Sequence, residues 1–200
     1  MGPTAPQLTG RRVRLRPLTS ADFAQWQEVR RRCRQWLEPW EPRQSGGADV
    51  VEDRRAFAAR CGTRERERQL GTGYSFGIFV GDRLVGEANL SSVQRWPLQS
   101  AYVGYWVDQA VAGRGYVPEA VAVLFRFAFE EVDLHRLQVS IIPRNVRSRR
   151  VAEKLGLREE GVAERYLEIN GQWEDHVRYA ITAEEWAKRR DAYLREWILP

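Results

Sequence analysis

The 200-residue chain is poor in cysteine: Cys33 and Cys61 are its only two. Both stand in polar helical contexts without metal-ligand spacing, which excludes a disulfide framework and a zinc site, so no metal is expected. No apolar run approaches the length of a membrane span, and no membrane partner is expected. Met1 to Thr9 lacks the basic-then-apolar order of a secretory signal, so a cytoplasmic location is the expectation. RRM, KH and zinc-finger signatures are missing, and direct sequence-specific nucleic-acid binding is not expected. Internal repeats and a domain linker are missing too. No Gly-Lys-Ser/Thr follows a glycine loop, which excludes a Walker A phosphate site.

What is present is a chain that is 43% hydrophobic, enough for a substantial core. Its length fits one domain. Residues 1–10 read as a flexible N-terminal segment and residues 11–200 as the domain. The formal charge is +5, and arginine supplies most of the positive charge, notably Arg30, Arg31, Arg32 and Arg34. Such a surface suits an anionic partner. Of the eight tryptophans, Trp26, Trp36 and Trp40 cluster early, as groove-lining or subunit-contact candidates.

Periodicity predicts the elements. A short strand covers Arg12 to Arg16, and a helix runs from Ala21 to Leu37. After Pro39, Pro42 and a loop at Gly46–Gly47, a second helix covers Asp49 to Arg68. Tyr74–Val80 and Leu84–Leu90 form a hairpin through Gly81–Asp82, and Ser100–Val107 follows as a strand. A buried helix then carries Val117, Val121, Leu124, Phe125, Ala128 and Val132. Leu137–Ile142 is the next strand. Asn145 caps a helix to Leu155, which Gly156 ends in a left-handed conformation. Asn170–Gly171 joins strands at about Glu159–Ile169 and Trp173–Ile181. Thr182 caps the last helix.

The junction Gly113-Arg114-Gly115 lies between the Ser100–Val107 strand and the buried helix. Two glycines let the backbone turn there, and the free N–H groups of the helix's first turn form an anion site suited to a pyrophosphate. A dinucleotide-binding Rossmann chain would place three glycines after its first strand. Here the third is missing, the motif is central, and an antiparallel meander precedes it.

At this point the chain resembles the GCN5-related N-acetyltransferases, and within them the ribosomal-protein N-terminal acetyltransferase branch represented by RimJ and RimL. Gly104-Tyr105-Trp106-Val107 leads into Gly113-Arg114-Gly115-Tyr116, with Glu119-Ala120 one turn later. Asn145-Val146-Arg147-Ser148 precedes Glu153-Lys154-Leu155-Gly156-Leu157. Gly171-Gln172-Trp173-Glu174-Asp175-His176 and Tyr179 resemble the branch as well. The resemblance covers residues 11 to 187. Ala112 departs from it, since relatives often carry glutamine there.

The resemblance implies an α/β fold of the GNAT acyl-coenzyme A acyltransferase type, with a central mixed, splayed β-sheet flanked by helices. It implies acetyl-coenzyme A as cofactor, its pyrophosphate cradled by Val111, Ala112, Gly113, Arg114, Gly115 and Tyr116. The splay would open between Ala101–Val107, ending at Val107, and Leu137–Ile142. Asn145 and Arg149 are further cofactor candidates. Ser148 is placed near the thioester sulfur, as a proton donor to departing coenzyme A. The implied reaction is direct attack by an amine on the acetyl carbonyl.

The acceptor amine must first be neutral. Near pH 7.5 roughly a quarter of α-amines are neutral, against about a thousandth of lysine amines. N-terminal acetylation therefore needs only a weak base, and Glu87 and Asp175 are the candidates. His176 is an alternative by chemistry, but Val177, Tyr179 and Ile181 share strand parity with Asp175. Tyr105 and Trp173 are candidates to flank the acceptor channel, and Trp36 and Trp40 to shape substrate entry. The expected partner is a protein or peptide N-terminus, with ribosomal proteins among the acceptors, acted on by a monomer or homodimer. A small-molecule amine acetyltransferase and a noncatalytic acyl-coenzyme A-binding regulator are the alternatives.

Overall fold

Eight strands build one sheet: β1 (Leu8–Thr9), β2 (Arg14–Arg16), β3 (Tyr74–Val80), β4 (Arg83–Gln94), β5 (Ser100–Val107), β6 (Arg136–Ile141), β7 (Arg158–Ile169) and β8 (Gln172–Thr182). The computed structural model describes residues 6–42 and 50–199. The spatial order is β1-β2-β3-β4-β5-β6-β8-β7. Every neighbouring pair is antiparallel except β5 and β6, which run parallel. Among the described residues, six α-helices complete the mixed α/β architecture: α1 (Phe23–Arg32), α2 (Arg34–Leu37), α3 (Arg54–Leu70), α4 (Tyr116–Glu130), α5 (Val146–Lys154) and α6 (Ala183–Tyr193).

The parallel pair is joined only at its start. Ser100, Ala101 and Tyr102 pair with Arg136, Leu137 and Gln138. Beyond them β5 continues to Val107 and β6 to Ile141 with no further partners between them. The sheet is therefore splayed where the family resemblance implies.

Helix α4 anchors one face of the sheet. Every residue from Val117 to Phe125 is buried, and its Phe125 ring meets Tyr193 of α6 edge-on at 6.2 Å. Each large apolar side chain so buried contributes about 1.5–3 kcal/mol. A second cluster unites Trp26 of α1, Phe57 of α3, Phe79 of β3 and Leu84 of β4, and the Trp26 and Phe57 rings lie 4.8 Å apart.

Several boundaries differ from the sequence expectation. The expected helix over 21–37 begins with a 3-10 turn and breaks at Cys33, whose φ of −94° and ψ of 9° leave the helical basin. The Cys33 thiol donates to Asp108 Oδ1 at 3.3 Å, and its sulfur accepts the Gln109 N–H at 3.4 Å, so a tertiary contact holds the kink. The second helix starts at Arg54, because Asp53 accepts the Arg55 N–H and caps it there. Val50 and Val51 lie before that cap and pack on the second cluster. Asp49 and the loop at Gly46–Gly47 lie outside the described residues. Leu8–Thr9, expected in a flexible segment, forms β1 against β2. The hairpin turn at Asn170–Gly171, both at positive φ, matches the expectation. So do the Asn145 cap and the Thr182–Glu185 capping box.

Candidate active site

Strand alternation distributes the site over both faces of the sheet. On β4, Glu87 and Asn89 share one face; across the ladder they oppose Trp106 and Gly104 of β5. Tyr105 and Val107 of β5 alternate with Gly104 and Trp106, on the other face. All six line one cleft of about 1410 Å³. The cleft therefore touches both faces of β5, along the part of the strand that lies beyond its pairing with β6.

At one end lies the turn before α4. Gly113 and Gly115 have φ of 83° and 85°, the left-handed region that glycine enters without steric cost. A Cβ at Gly113 would meet nothing within 4 Å, so the space beside this turn is open. The first-turn N–H groups of Tyr116 and Val117 lie before the helix's own ladder begins, and Pro118 has none to offer. The turn is fastened on two sides. Asp108, 1% exposed, accepts from the Ala110 N–H at 3.0 Å and from Arg32 at 2.5 Å. Burial alone would raise the Asp108 pKa, but the bonds from Arg32, Ala110 and Cys33 outweigh it and hold the carboxyl below the usual range. Glu119, equally buried, accepts from the Val13 N–H and from Arg12 Nε, both at 2.8 Å. Arg12 in turn donates to the Arg114 carbonyl at 3.1 Å.

Beside the turn stands the start of α5. Asn145 Oδ1 accepts the Ser148 N–H at 3.2 Å, which points the helix's first turn into the cleft. Ser148 Oγ lies 3.0 Å from the Tyr105 hydroxyl. Burial pushes the Tyr105 pKa above its ordinary value, so this phenol stays protonated. Arg147, Arg150, Val151 and Lys154 line the cleft at helical spacing, and Arg144 precedes them. Arg147, Arg150 and Lys154 form a basic stripe on this face of α5, while Arg144 pairs with Glu174 at 2.6 Å.

At the opposite end Glu87 is 1% exposed. Trp26 Nε1 donates to its Oε1 at 2.7 Å and Arg60 to its Oε2 at 2.6 Å. A buried carboxylate requires such partners. The mouth is rimmed by Trp36 and Trp40, which carry Arg147 at 4.4 Å and Arg144 at 5.5 Å over their rings. These contacts join the α2 segment to the start of α5.

The expected residues divide accordingly. Glu87, Tyr105, Ser148 and Asn145 line the cleft, as do Trp36 and Trp40 at its mouth. Val107, Val111, Ala112, Gly113 and Gly115 line its other end. Five others lie elsewhere. Arg114 offers its carbonyl to Arg12, and the Tyr116 ring lies under the same guanidinium at 5.1 Å. Arg149 sits off the basic stripe and donates to the Tyr179 hydroxyl at 3.0 Å. Asp175 is exposed and accepts the Arg165 N–H at 2.8 Å, where β7 bulges. Trp173 is 64% exposed near the tip of the β7–β8 hairpin. His176 is buried on β8, its Nδ1 2.9 Å from the Glu174 carbonyl oxygen. Sequence reasoning missed Arg60, Asn89 and Lys154. Arg60 lies in an Arg-Glu-rich helix that reads as a solvated face, and Asn89 has no local signal beyond its parity with Glu87.

A splayed mixed sheet with an anion-binding turn at the head of its central helix defines an acyl-coenzyme A-type acetyltransferase fold. Residues 12–158 match the acetyltransferase (GNAT) domain, and the chain belongs to that family of enzymes. It is 36% identical over 177 residues to the probable N-acetyltransferase YjcK of Bacillus subtilis (strain 168), covering 87% of this chain and 96% of that one. It is 33% identical to the [ribosomal protein uS5]-alanine N-acetyltransferase of Escherichia coli (strain K12), over 78% of this chain and 80% of the relative. Mycobacterium smegmatis RimJ, solved in complex with CoA-disulfide, superposes with a TM-score of 0.87 at 34% identity, over 96% of this chain and 92% of that one.

Proposed function

We propose that this acetyltransferase uses acetyl-coenzyme A to acetylate the α-amine of a protein N-terminus, with ribosomal proteins as the favoured acceptors. The observation that carries this reading is the single cleft that holds both the glycine turn and Glu87 and touches both faces of β5. At about 1410 Å³ the cleft exceeds the roughly 300–1,000 Å³ usual for a single small ligand. It has room for a long cofactor from one side and an extended chain from the other. The uS5-alanine enzyme named above supports the choice of acceptor.

The residues fit the cofactor. The open space at Gly113, the first-turn N–H groups of α4 and the basic stripe of α5 suit a pyrophosphate. Backbone groups of β5 and β6 beyond Tyr102 and Gln138 lie past the end of their mutual pairing and are placed to bond pantetheine amides. When bound, acetyl-coenzyme A supplies the activated acetyl thioester that the amine attacks directly. Ser148, hydrogen-bonded to Tyr105, supplies the proton that the departing thiolate takes up. Glu87, whose two oxygens accept from Trp26 and Arg60, draws the acceptor's ammonium group and takes its proton, directly or through water. Asp175 and Trp173 have no part in this scheme.

Two matched peptides test the acceptor. One has a free N-terminus and a blocked lysine; the other has the reverse. The free N-terminus should be acetylated faster at pH 7.5, with mass spectrometry locating the acetyl group. Equal or faster lysine acetylation rejects the reading. Turnover confined to a small amine favours a small-molecule enzyme instead.

A further inference from the structure

Asn89 follows Glu87 by two residues on β4 and lines the same cleft. Its Oδ1 is nevertheless buried and has no hydrogen-bond partner among the described residues. Directly across the ladder on β3 stands Ser75, whose Oγ is likewise buried and unpartnered. The Asn89 Nδ2 is not among these sealed atoms. The amide therefore turns its oxygen inward and leaves its N–H groups on the cleft side. On the other flank Asn89 opposes Gly104 of β5. A Cβ there would meet nothing within 4 Å, and no left-handed φ demands glycine at that position. The missing side chain leaves room beside the amide. The paired part of β5 and β6 ends at Tyr102, two residues away, so this room adjoins the part of β5 that has no pairing with β6.

A neutral donor beside a carboxylate, in a space kept clear, matches one chemical pattern: an amine with a carbonyl on the adjacent carbon. Every peptide N-terminus has that pattern, and a lysine side chain does not. We propose that Asn89 is a specificity-determining residue whose side-chain N–H donates to the carbonyl of the acceptor's first residue, while Glu87 meets the amine. The proposal rests on the N-terminal reading given above. It supplies a reason for the preference apart from amine pKa. An acceptor without the carbonyl leaves a desolvated N–H unpaired, which disfavours it.

The test compares the wild type with Asn89→Asp, which keeps the shape and loses the N–H, and with Asn89→Ala. Two acceptors are used: a short peptide with a free N-terminus, and the same peptide with its first amide replaced by an (E)-alkene isostere that lacks the carbonyl. Both variants should lose about 10- to 100-fold in kcat/KM on the peptide, the range expected for an unmatched buried hydrogen bond. The isostere should lose less than about threefold, with no change in coenzyme A affinity and, for Asn89→Ala, none in thermal melting. Equal loss on both acceptors would assign Asn89 a structural role and overturn the proposal. Unchanged peptide turnover overturns it too. Faster turnover by Asn89→Asp would mean that the side-chain oxygen meets the ammonium, again overturning it. If the wild type ignores peptide N-termini, the N-terminal reading fails and the Asn89 assignment with it. If the wild type acetylates the peptide and the variants do not discriminate, only the Asn89 assignment fails.

Discussion

Ser148 and Tyr105 come from different elements, yet their hydroxyls lie 3.0 Å apart. The Tyr105 hydroxyl also donates to the Ser148 carbonyl at 3.2 Å. The protonated tyrosine orients the Ser148 hydroxyl, which can pass a proton toward the wedge between β5 and β6 and regain one from water. Ser148→Ala should lower the single-turnover acetylation rate about 10- to 100-fold while leaving the coenzyme A dissociation constant within about twofold. That is a modest share of the range for acid catalysis, because a thiol is an easier leaving group than an amine. Tyr105→Phe should lose less, since it removes only the group that orients the Ser148 hydroxyl. Matching chemical rates for wild type and Ser148→Ala would remove the serine from proton transfer.

Among the elements, the turn before α4 is the most constrained. Its glycines hold positive φ, Asp108 fastens its entry, and Glu119 with Arg12 fastens its exit. Gly113→Ala places a Cβ in the open side of the cleft and a side chain at φ 83°. The strain should lower stability by about 1–2 kcal/mol. Coenzyme A affinity should fall about tenfold or more, measured by calorimetric titration of the folded variant. A variant that melts earlier but binds as tightly would confine the glycine to a conformational role. The turn was legible in the sequence because glycine spacing at a strand–helix junction is a local signal. Its fastening was not, because Arg12 and Glu119 are 107 residues apart.

At the scale of the molecule, buried carboxylates fasten the chain, Asp108 between distant segments and Asp22 within a local turn. Asp108 binds Arg32 across 76 positions, and Asp22 binds Arg16 with bonds of 2.6 and 2.9 Å. For both, burial acts to raise the pKa, yet the bonds to arginine and backbone leave it lowered. A carboxyl whose folded pKa lies below its unfolded value stabilises the fold above the unfolded pKa, near 3.9, and that contribution fades as pH falls through the folded pKa. Melting temperature should therefore hold from pH 7 to about 5 and decline below about 4. Asp108→Asn should melt earlier at pH 7 and show a shallower acid decline. Identical acid slopes for variant and wild type would remove Asp108 from this linkage.

Local order was written in the chain: the α4 stripe, the Asn145 cap, the Asn170–Gly171 turn and the β5 boundaries all follow from residue spacing, which acts over a few positions. The broken first helix was not, because Cys33 is held by Asp108 and Gln109 from another part of the fold. Alternation placed Glu87 on a polar strand position, but only the sheet brought Trp26 and Arg60 onto its two oxygens. Parity with the core strand residues favoured Asp175. The bulged, outlying β7–β8 hairpin instead leaves that side chain in solvent, because parity assigns a face and does not say whether anything packs there. Sequence determined which elements form and which glycine turn can receive a phosphate. Tertiary structure decided which side chains share the cleft, since strand pairing and splay act between segments that no local spacing connects.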